Sequence, residues 1–290
     1  MAAAEPAGAL TASGRLADQL TVVRGGGDLA TGVVYRLRAA GMPVIVLELA
    51  RPLAVRRRVA LATAALEGEI DVEGLIGRRV GSAQEALRLA TGGVVPVLVA
   101  PEWPDWDAAA GGRSPVRVLV DARLAKRNID TRIEQAPLVI GLGPGFTAGR
   151  DCHAVVETLR GHRLGRVIWQ GSAAADTGTP GRVAGKIAER VLRSPVAGQV
   201  DWDVEIGDRV AASQELGTVG GARLCAPFAG VVRGLIAPGI QVEAGLKIGD
   251  LDPRADPSAA FTISDKALAV GGGVLEGVLT WLSRPQPGRP

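Results

Sequence analysis

Leu20-Thr-Val-Val-Arg-Gly-Gly-Gly-Asp-Leu-Ala30 carries the reading on which the fold depends. Leu20 to Arg24 is an apolar, β-branched run that predicts a buried strand. The glycines form a turn, and a helix follows to Ala40 with Gly41 as its stop. Pro43-Val-Ile-Val-Leu-Glu48 is a second strand. Within the turn, Gly25-x-Gly27-x-x-Ala30 has the spacing of a dinucleotide fingerprint. Gly25 permits a tight turn, Gly27 lets a phosphate reach the backbone, and Ala30 allows close helix–strand packing. The helix start offers N–H groups and a positive dipole end to an anion. Glu48 ends the second strand 23 positions after Gly25, where an acidic residue commonly takes a ribose hydroxyl. A glycine turn that binds nothing is the competing reading. Asp28 complicates the first one, because a carboxylate at a helix start caps the helix and repels a phosphate.

Outward from this unit, strands are expected at Val94–Val99, Val116–Asp121, Pro137–Gly141 and Arg166–Trp169. Helices are expected around 54–66, 82–90, 150–160 and 183–193. Such alternation predicts an α/β, Rossmann-like domain over residues 18–193, built on a parallel sheet. A second glycine loop, Gly141-Leu-Gly-Pro-Gly-Phe-Thr-Ala-Gly149, also follows an apolar strand, and a helix is expected after it. Gly143, Gly145 and Thr147 are therefore candidates to share one ligand cleft with Gly25, Gly27, Asp28, Ala30 and Glu48. A turn chosen for packing explains the loop as well. Asp151, Cys152 and His153 follow it; Cys152 reads as a small core residue and His153 and His162 as surface or capping residues, so no catalytic residue is assigned. Arg51 and Arg56-Arg57-Arg58 lie just beyond the second strand, facing a ligand's phosphates or simply solvent. The small polar loop Gly171–Gly181 suits either a phosphate or a plain linker.

From Ser194 the texture changes to short strands punctuated by glycine and proline. A shift of 32 residues superposes this part on itself. Pro195, Ala197, Gly198 and Val200 fall on Pro227, Ala229, Gly230 and Val232. Gly207, Val210 and Gly217 fall on Gly239, Val242 and Gly249. So many turn and core positions at one offset indicate a duplication. It predicts a small all-β barrel-sandwich hybrid of the biotinyl/lipoyl-like kind over 194–254, with Val200, Val210, Val232 and Val242 inside. Carrier modules of this kind place their modified lysine on the hairpin between the repeats. Here that hairpin is Gly220-Gly221-Ala222, so neither biotin nor lipoate is expected. Residues 255–284 should close the chain with a helix capped by Ser264 that packs back on the α/β domain, weakened by Gly271-Gly-Gly273.

Thirty-three basic residues against 30 acidic ones give a net charge of +3. No patch combines basic runs with aromatics, so nucleic acid is not an expected partner. No apolar run is long enough for a bilayer and no secretory signal is visible, which predicts a cytoplasmic protein without a membrane partner. Cys152 and Cys225, the two cysteines, exclude a cysteine-only metal site within one chain, and no metal site is expected.

Arg24-Gly-Gly-Gly-Asp-Leu-Ala-Thr-Gly32, the 141–149 loop, Val156-Glu-Thr-Leu-Arg-Gly-His-Arg-Leu-Gly165, Lys247-Ile-Gly-Asp-Leu-Asp-Pro-Arg254 and Ser264-Asp-Lys266 together resemble one family. It is the YqeB-type selenium-dependent molybdenum hydroxylase system proteins, relatives of the XdhC-type accessory factors, and the resemblance runs from about Leu20 to Leu282. It implies a maturation role for a xanthine dehydrogenase- or carbon monoxide dehydrogenase-like molybdenum hydroxylase as partner. The expected ligand is a phosphorylated cofactor such as molybdopterin or its dinucleotide. Nothing in these residues reads as a selenium site. An NAD-dependent oxidoreductase using Gly25, Gly27 and Glu48, with NAD favoured over NADP, is one alternative; a non-enzymatic scaffold that docks the target enzyme is another. Monomer and homodimer both remain open.

Overall fold

The computed structural model of the chain describes residues 16–176, 188–254 and 256–284. Its first strands are β1 (Thr21–Arg24), β2 (Val44–Glu48), β3 (Glu69–Val72), β4 (Leu75–Val80), β5 (Val95–Val99), β6 (Val118–Asp121) and β7 (Leu138–Leu142). They are followed by β8 (Thr147–Ala148), β9 (Ala154–Val156), β10 (Val167–Ile168) and β11 (Gly171–Ser172). The helices are α1 (Asp28–Ala39), α2 (Ala64–Glu67), α3 (Ala83–Leu89), α4 (Trp106–Ala110) and α5 (Asp265–Ser283). Nine strands form one sheet in the order β10-β9-β7-β6-β1-β2-β5-β4-β3. Pairing is parallel from β9 to β4, and the two edge strands β10 and β3 are antiparallel. β8 and β11 make a separate ribbon.

Both faces of the sheet are covered, which is why its strands read as unbroken apolar runs. Val23, Val46, Val120 and Ile140 pack beneath α1 and α5. Their neighbours Val22, Ile45, Leu119 and Val139 pack on the opposite face with Ala86 of α3 and Trp106 of α4. Each such side chain contributes about 1.5–3 kcal/mol on burial. The chain leaves β1 toward β2 on one side and later returns to place β6 on the other, so the strand order reverses between β1 and β6. Open α/β sheets bind ligands at that point, beyond the carboxyl ends of the strands.

Several expected elements differ. Residues 54–66 are not one helix: two 3-10 turns (Arg57–Val59, Leu61–Thr63) lead into the short α2. Arg56 bridges to Leu235 of the duplicated part and docks the segment there instead of letting it coil. Residues 150–160 hold β9, whose Val155 and Val156 pair with Gly141 and Leu142 in the sheet; parallel pairing outweighs a weak helical pattern. The expected helix 183–193 lies partly outside the described residues, and its remainder is a 3-10 turn followed by a strand. The β3–β4 hairpin was not expected. Its turn, Glu73-Gly74, has φ of 52° and 82°, the two-positive-φ geometry of a tight hairpin.

The last strands are β12 (Val191–Arg193), β13 (Gly198–Trp202), β14 (Arg209–Val210), β15 (Glu215–Val219), β16 (Ala222–Cys225), β17 (Gly230–Leu235), β18 (Gln241–Val242) and β19 (Lys247–Asp252). They form two four-stranded sheets, β12-β19-β17-β14 and β16-β15-β13-β18. The 32-residue shift carries β12, β13, β14 and β15 onto β16, β17, β18 and β19, and it exchanges one sheet for the other. Each repeat therefore supplies two strands to each sheet. Val200, Val210, Val232 and Val242 are all buried in the single core between them.

α5 runs 19 residues without a break. Ser264 caps it by accepting from the Ala267 N–H at 3.1 Å. Its glycines permit close approach instead of weakening it: a Cβ on Gly271 would overlap the Gly32 carbonyl, and one on Gly273 would overlap that of Gly165. Gly272 faces open space. Gly271→Val is therefore expected to cost about 3 kcal/mol through overpacking. Gly272→Ala should be neutral or stabilise by up to about 1 kcal/mol through helix propensity. Urea denaturation of the two variants checks this, and equal behaviour would refute the close-approach account.

Candidate functional site

The three glycines after β1 serve different purposes. Gly25 has φ of 88° and donates to the Leu47 carbonyl at 2.8 Å, so the turn requires it. A Cβ on Gly26 would lie 2.7 Å from the Ala62 nitrogen, so packing requires it. Gly27 has φ of −64° and open space where a Cβ would be; neither conformation nor packing demands glycine there. It caps α1 without a side chain. Among the described residues no acceptor takes the N–H groups of Gly27, Asp28 or Leu29, as the first turn of a helix leaves them.

Beside Gly27 a cleft of about 510 Å³ opens at the carboxyl ends of β1, β2, β5 and β6. Its walls are largely aliphatic, with Leu47, Leu49, Leu53, Leu124 and Ile129 among them. Polar groups close the base. Arg24, buried at the end of β1, donates to Asp130 at 2.8 Å. Arg123 grips Asp121 with its Nη2 at 2.6 Å and also reaches Asp130 at 2.7 Å. The two guanidiniums hold the Asp130 carboxyl below the usual carboxylate range despite its partial desolvation. Glu48 reaches the cleft, but its carboxylate already accepts from the Gly26 N–H at 2.6 Å and the Leu49 N–H at 2.7 Å. Burial pushes its pKa up, against those two hydrogen bonds. Its first role is to brace the glycine turn; a ribose would share it with two backbone donors.

A second cavity, about 770 Å³, adjoins the first, and Gly27, Leu53, Ala54 and Leu124 line both. It lies where the starts of α1 and α5 meet the β12-β19-β17-β14 sheet. Asp28 faces it and pairs with Arg56 at 3.3 Å, so Asp28 is engaged by a cation instead of capping the helix. Arg56, 7% exposed, also donates to the carbonyls of Ala259 and Thr262. Gly234 lets the 52–56 segment approach β17: a Cβ there would lie 2.8 Å from the Val55 carbonyl oxygen.

The other expected site residues are not at this place. Ala30 is buried inside α1 against the core and serves packing. Gly143, Gly145 and Thr147 line neither cavity. Their loop spends its polar groups internally: Gly143 donates to Val156, Thr147 to Asp151, and Gly149 to Cys152. A Cβ on Gly145 would lie 2.5 Å from the Arg127 nitrogen, so that glycine admits the neighbouring loop, not a ligand. Cys152 is fully buried, and burial drives its thiol up to about 12, which excludes an activated thiolate. His153 accepts from the Val139 N–H through Nδ1 at 3.0 Å, a structural bond. The residues that sequence reading missed are Arg160, Arg190, Arg233, Lys247, Arg254 and Lys266. They are scattered over more than 100 positions, and only the fold gathers them. Among the described residues no helix is long and apolar enough to cross a membrane.

No family model matches the chain. It is 47% identical over 261 residues to the uncharacterized protein YqeB of Escherichia coli (strain K12), a match that covers 90% of this chain and 47% of that protein. The chain thus spans about half the length of the curated relative it matches. Among solved structures, a succinylglutamate desuccinylase/aspartoacylase from Rhodobacter sphaeroides aligns over 81% of this chain and 88% of that one. It is 14% identical with a TM-score of 0.24, a likeness that carries no argument.

The α5 start is tied to the β9–β10 loop by Arg160, which donates to both Asp265 carboxylate oxygens at 2.9 and 3.0 Å. That pairing lowers the Asp265 carboxyl to about 2. A folded-state pKa below the unfolded value of about 3.9 contributes stability above that value, lost as pH falls toward 2. The drop in urea midpoint between pH 5 and pH 3 should therefore shrink in Asp265→Asn. An unchanged drop would show that the pair contributes nothing in solution.

Proposed function

We propose that this protein is an accessory factor in the maturation of a molybdenum hydroxylase, and that it binds a phosphorylated cofactor such as molybdopterin or its dinucleotide at the β1–α1 turn. One observation carries the reading. Gly27 is a glycine that neither backbone conformation nor packing requires, and it leaves the start of α1 open beside an aliphatic cleft at the sheet's switch point. A helix start with unclaimed N–H groups suits a phosphate, and flat aliphatic walls suit a ring system. The residues fit such a group: Leu47, Leu53 and Leu124 would flank its ring and Gly27 would admit its phosphate. The molybdenum centre, when bound, supplies the redox chemistry of the target enzyme; this chain's part is to bind and orient the cofactor.

The association with molybdenum hydroxylases rests on the resemblance of the motifs around Gly25–Gly32, Gly141–Gly149 and Lys247–Arg254. We assign the duplicated part to the barrel-sandwich hybrids of the biotinyl/lipoyl kind. The exchange of strands between its two sheets supports the assignment. With Gly220-Gly221-Ala222 in place of a lysine hairpin, its role is to wall the site and face a partner. The oxidoreductase alternative is weaker because Glu48 is already engaged by two backbone N–H groups and neither histidine lines the cleft.

Native mass spectrometry of the purified protein should detect a phosphorylated pterin or its dinucleotide. Gly27→Val should lose it while folding normally, since a Cβ there has no protein atom within 4 Å and the change costs about 1 kcal/mol as a poorer cap. Co-purification of NAD alone would move the assignment to the oxidoreductase, and retention of the pterin in Gly27→Val would remove this turn from the site.

A further inference from the structure

Among the described residues, seven cationic side chains line the cavity beside the cleft. Five are arginines tied to carboxylates. Arg56 pairs with Asp28, Arg160 with Asp265, and Arg190 with Asp250 at 3.2 Å. Arg233 pairs with Asp250 at 3.1 Å and Arg254 with Asp252 at 2.6 Å. The remaining two are Lys247 and Lys266, which have no ion-pair partner among the described residues. The chain has only four lysines, and two of them meet here. Among the described residues, the seven cations and the four carboxylates paired with them, Asp28, Asp250, Asp252 and Asp265, leave an excess of three positive charges. Lys266 is half-buried in the first turn of α5. Arg56 is 7% exposed, and its buried Nε has no hydrogen-bond partner.

The duplication provides an internal control. Under the 32-residue shift, Arg190, Arg233, Lys247, Asp250 and Asp252 fall on Ala222, Asp201, Glu215, Thr218 and Gly220. The other repeat builds its equivalent strands without any of these cations, and Asp201 and Glu215 there are acidic. The β fold therefore does not require this charge set. Only the sheet that faces α1 and α5 carries it, with Asp250 and Asp252 buried so as to aim three arginines toward the cavity.

We infer that this cavity binds a diphosphate group, held by Lys247, Lys266 and Arg56 between the open start of α1 and the β17–β19 face. A diphosphate carries about three negative charges and a single phosphate no more than about two, so the excess of three selects the condensed group. The inference deepens the reading above by placing the anionic end of a ligand beyond Gly27, and it also stands on its own, because inorganic diphosphate should bind without any ring in the cleft.

Calorimetry at fixed ionic strength with inorganic diphosphate and with orthophosphate tests it. The variants are Lys247→Met, Lys266→Met and the pair together. Neither lysine is ion-paired, so their replacement leaves no carboxylate orphaned, and circular dichroism with thermal melting verifies folding. Wild type should bind diphosphate at least tenfold more tightly than orthophosphate. Each single variant should weaken diphosphate about tenfold and the double variant about a hundredfold. No binding of diphosphate, equal binding of the two anions, or unchanged affinity in a folded double variant would each overturn the inference. Should diphosphate bind as expected while no pterin accompanies the purified protein, the maturation reading fails and the diphosphate site stands.

Discussion

Gly32 and Gly271 bring α1 and α5 together backbone to backbone, and that contact sets the starts of both helices at one cavity. Gly32 meets Ala267 and Gly271, and Arg36, one turn further along α1, meets Gly271. The two helices therefore run side by side in the same direction. Their dipoles lie parallel, an arrangement that is electrostatically unfavourable in itself, and both positive ends face one cavity. Side chains at the contact would hold the axes apart and separate the two starts. The glycines allow the helices to touch, and α5 in turn buries Val270, Val274 and Val278 over the sheet. α5 thus completes a site begun by α1.

The β1–loop–α1 unit was legible because each of its signals is local. An apolar β-branched run, a glycine turn and an amphipathic continuation determine one another within 20 residues. The duplication was legible for another reason: its two copies check each other at a fixed offset. Residues 150–160 were not legible, since their strand character comes from a neighbour, β7, rather than from their own pattern. The Glu73-Gly74 hairpin turns on a non-glycine residue at positive φ, which a glycine pattern alone does not mark. In the glycine-rich α5, composition alone misleads. Gly271 and Gly273 lower helix propensity but remove the steric barrier to packing, and the second effect prevails once a partner helix is in place.

The candidate site divides the same way. Gly25, Gly27 and Glu48 lie at the cleft because a strand–turn–helix unit fixes them. Gly143, Gly145 and Thr147 share the composition of a binding loop, yet the N–H groups of Gly143 and Thr147 are consumed by Val156 and Asp151, and the Gly145 carbonyl accepts from Asn128. Composition cannot distinguish a glycine that admits a ligand from one that admits another segment of the same chain. The surroundings of each missing Cβ do distinguish them: open space at Gly27, backbone at Gly26 and Gly145.

The charge distribution sets a condition on the folded state. Burial, and then the proximity of Arg233, pull Arg56 below the usual arginine value. Burial also lowers Lys266, with Arg160 and Lys247 adding to the effect and Asp28 opposing it. Both shifts mean that the folded state holds these cations less comfortably than water would. An anion in the cavity reverses that term by supplying charge where the carboxylates fall short, so its binding is linked to stability as well as to occupancy. Arg190, Arg233 and Arg254, anchored by Asp250 and Asp252, cannot relieve the excess by swinging into solvent without leaving a buried carboxylate unpaired, which is costly. Lys247 and Lys266 have no such tie among the described residues. The architecture thus separates fixed charges, which define where an anion sits, from two adaptable ones, which close on it.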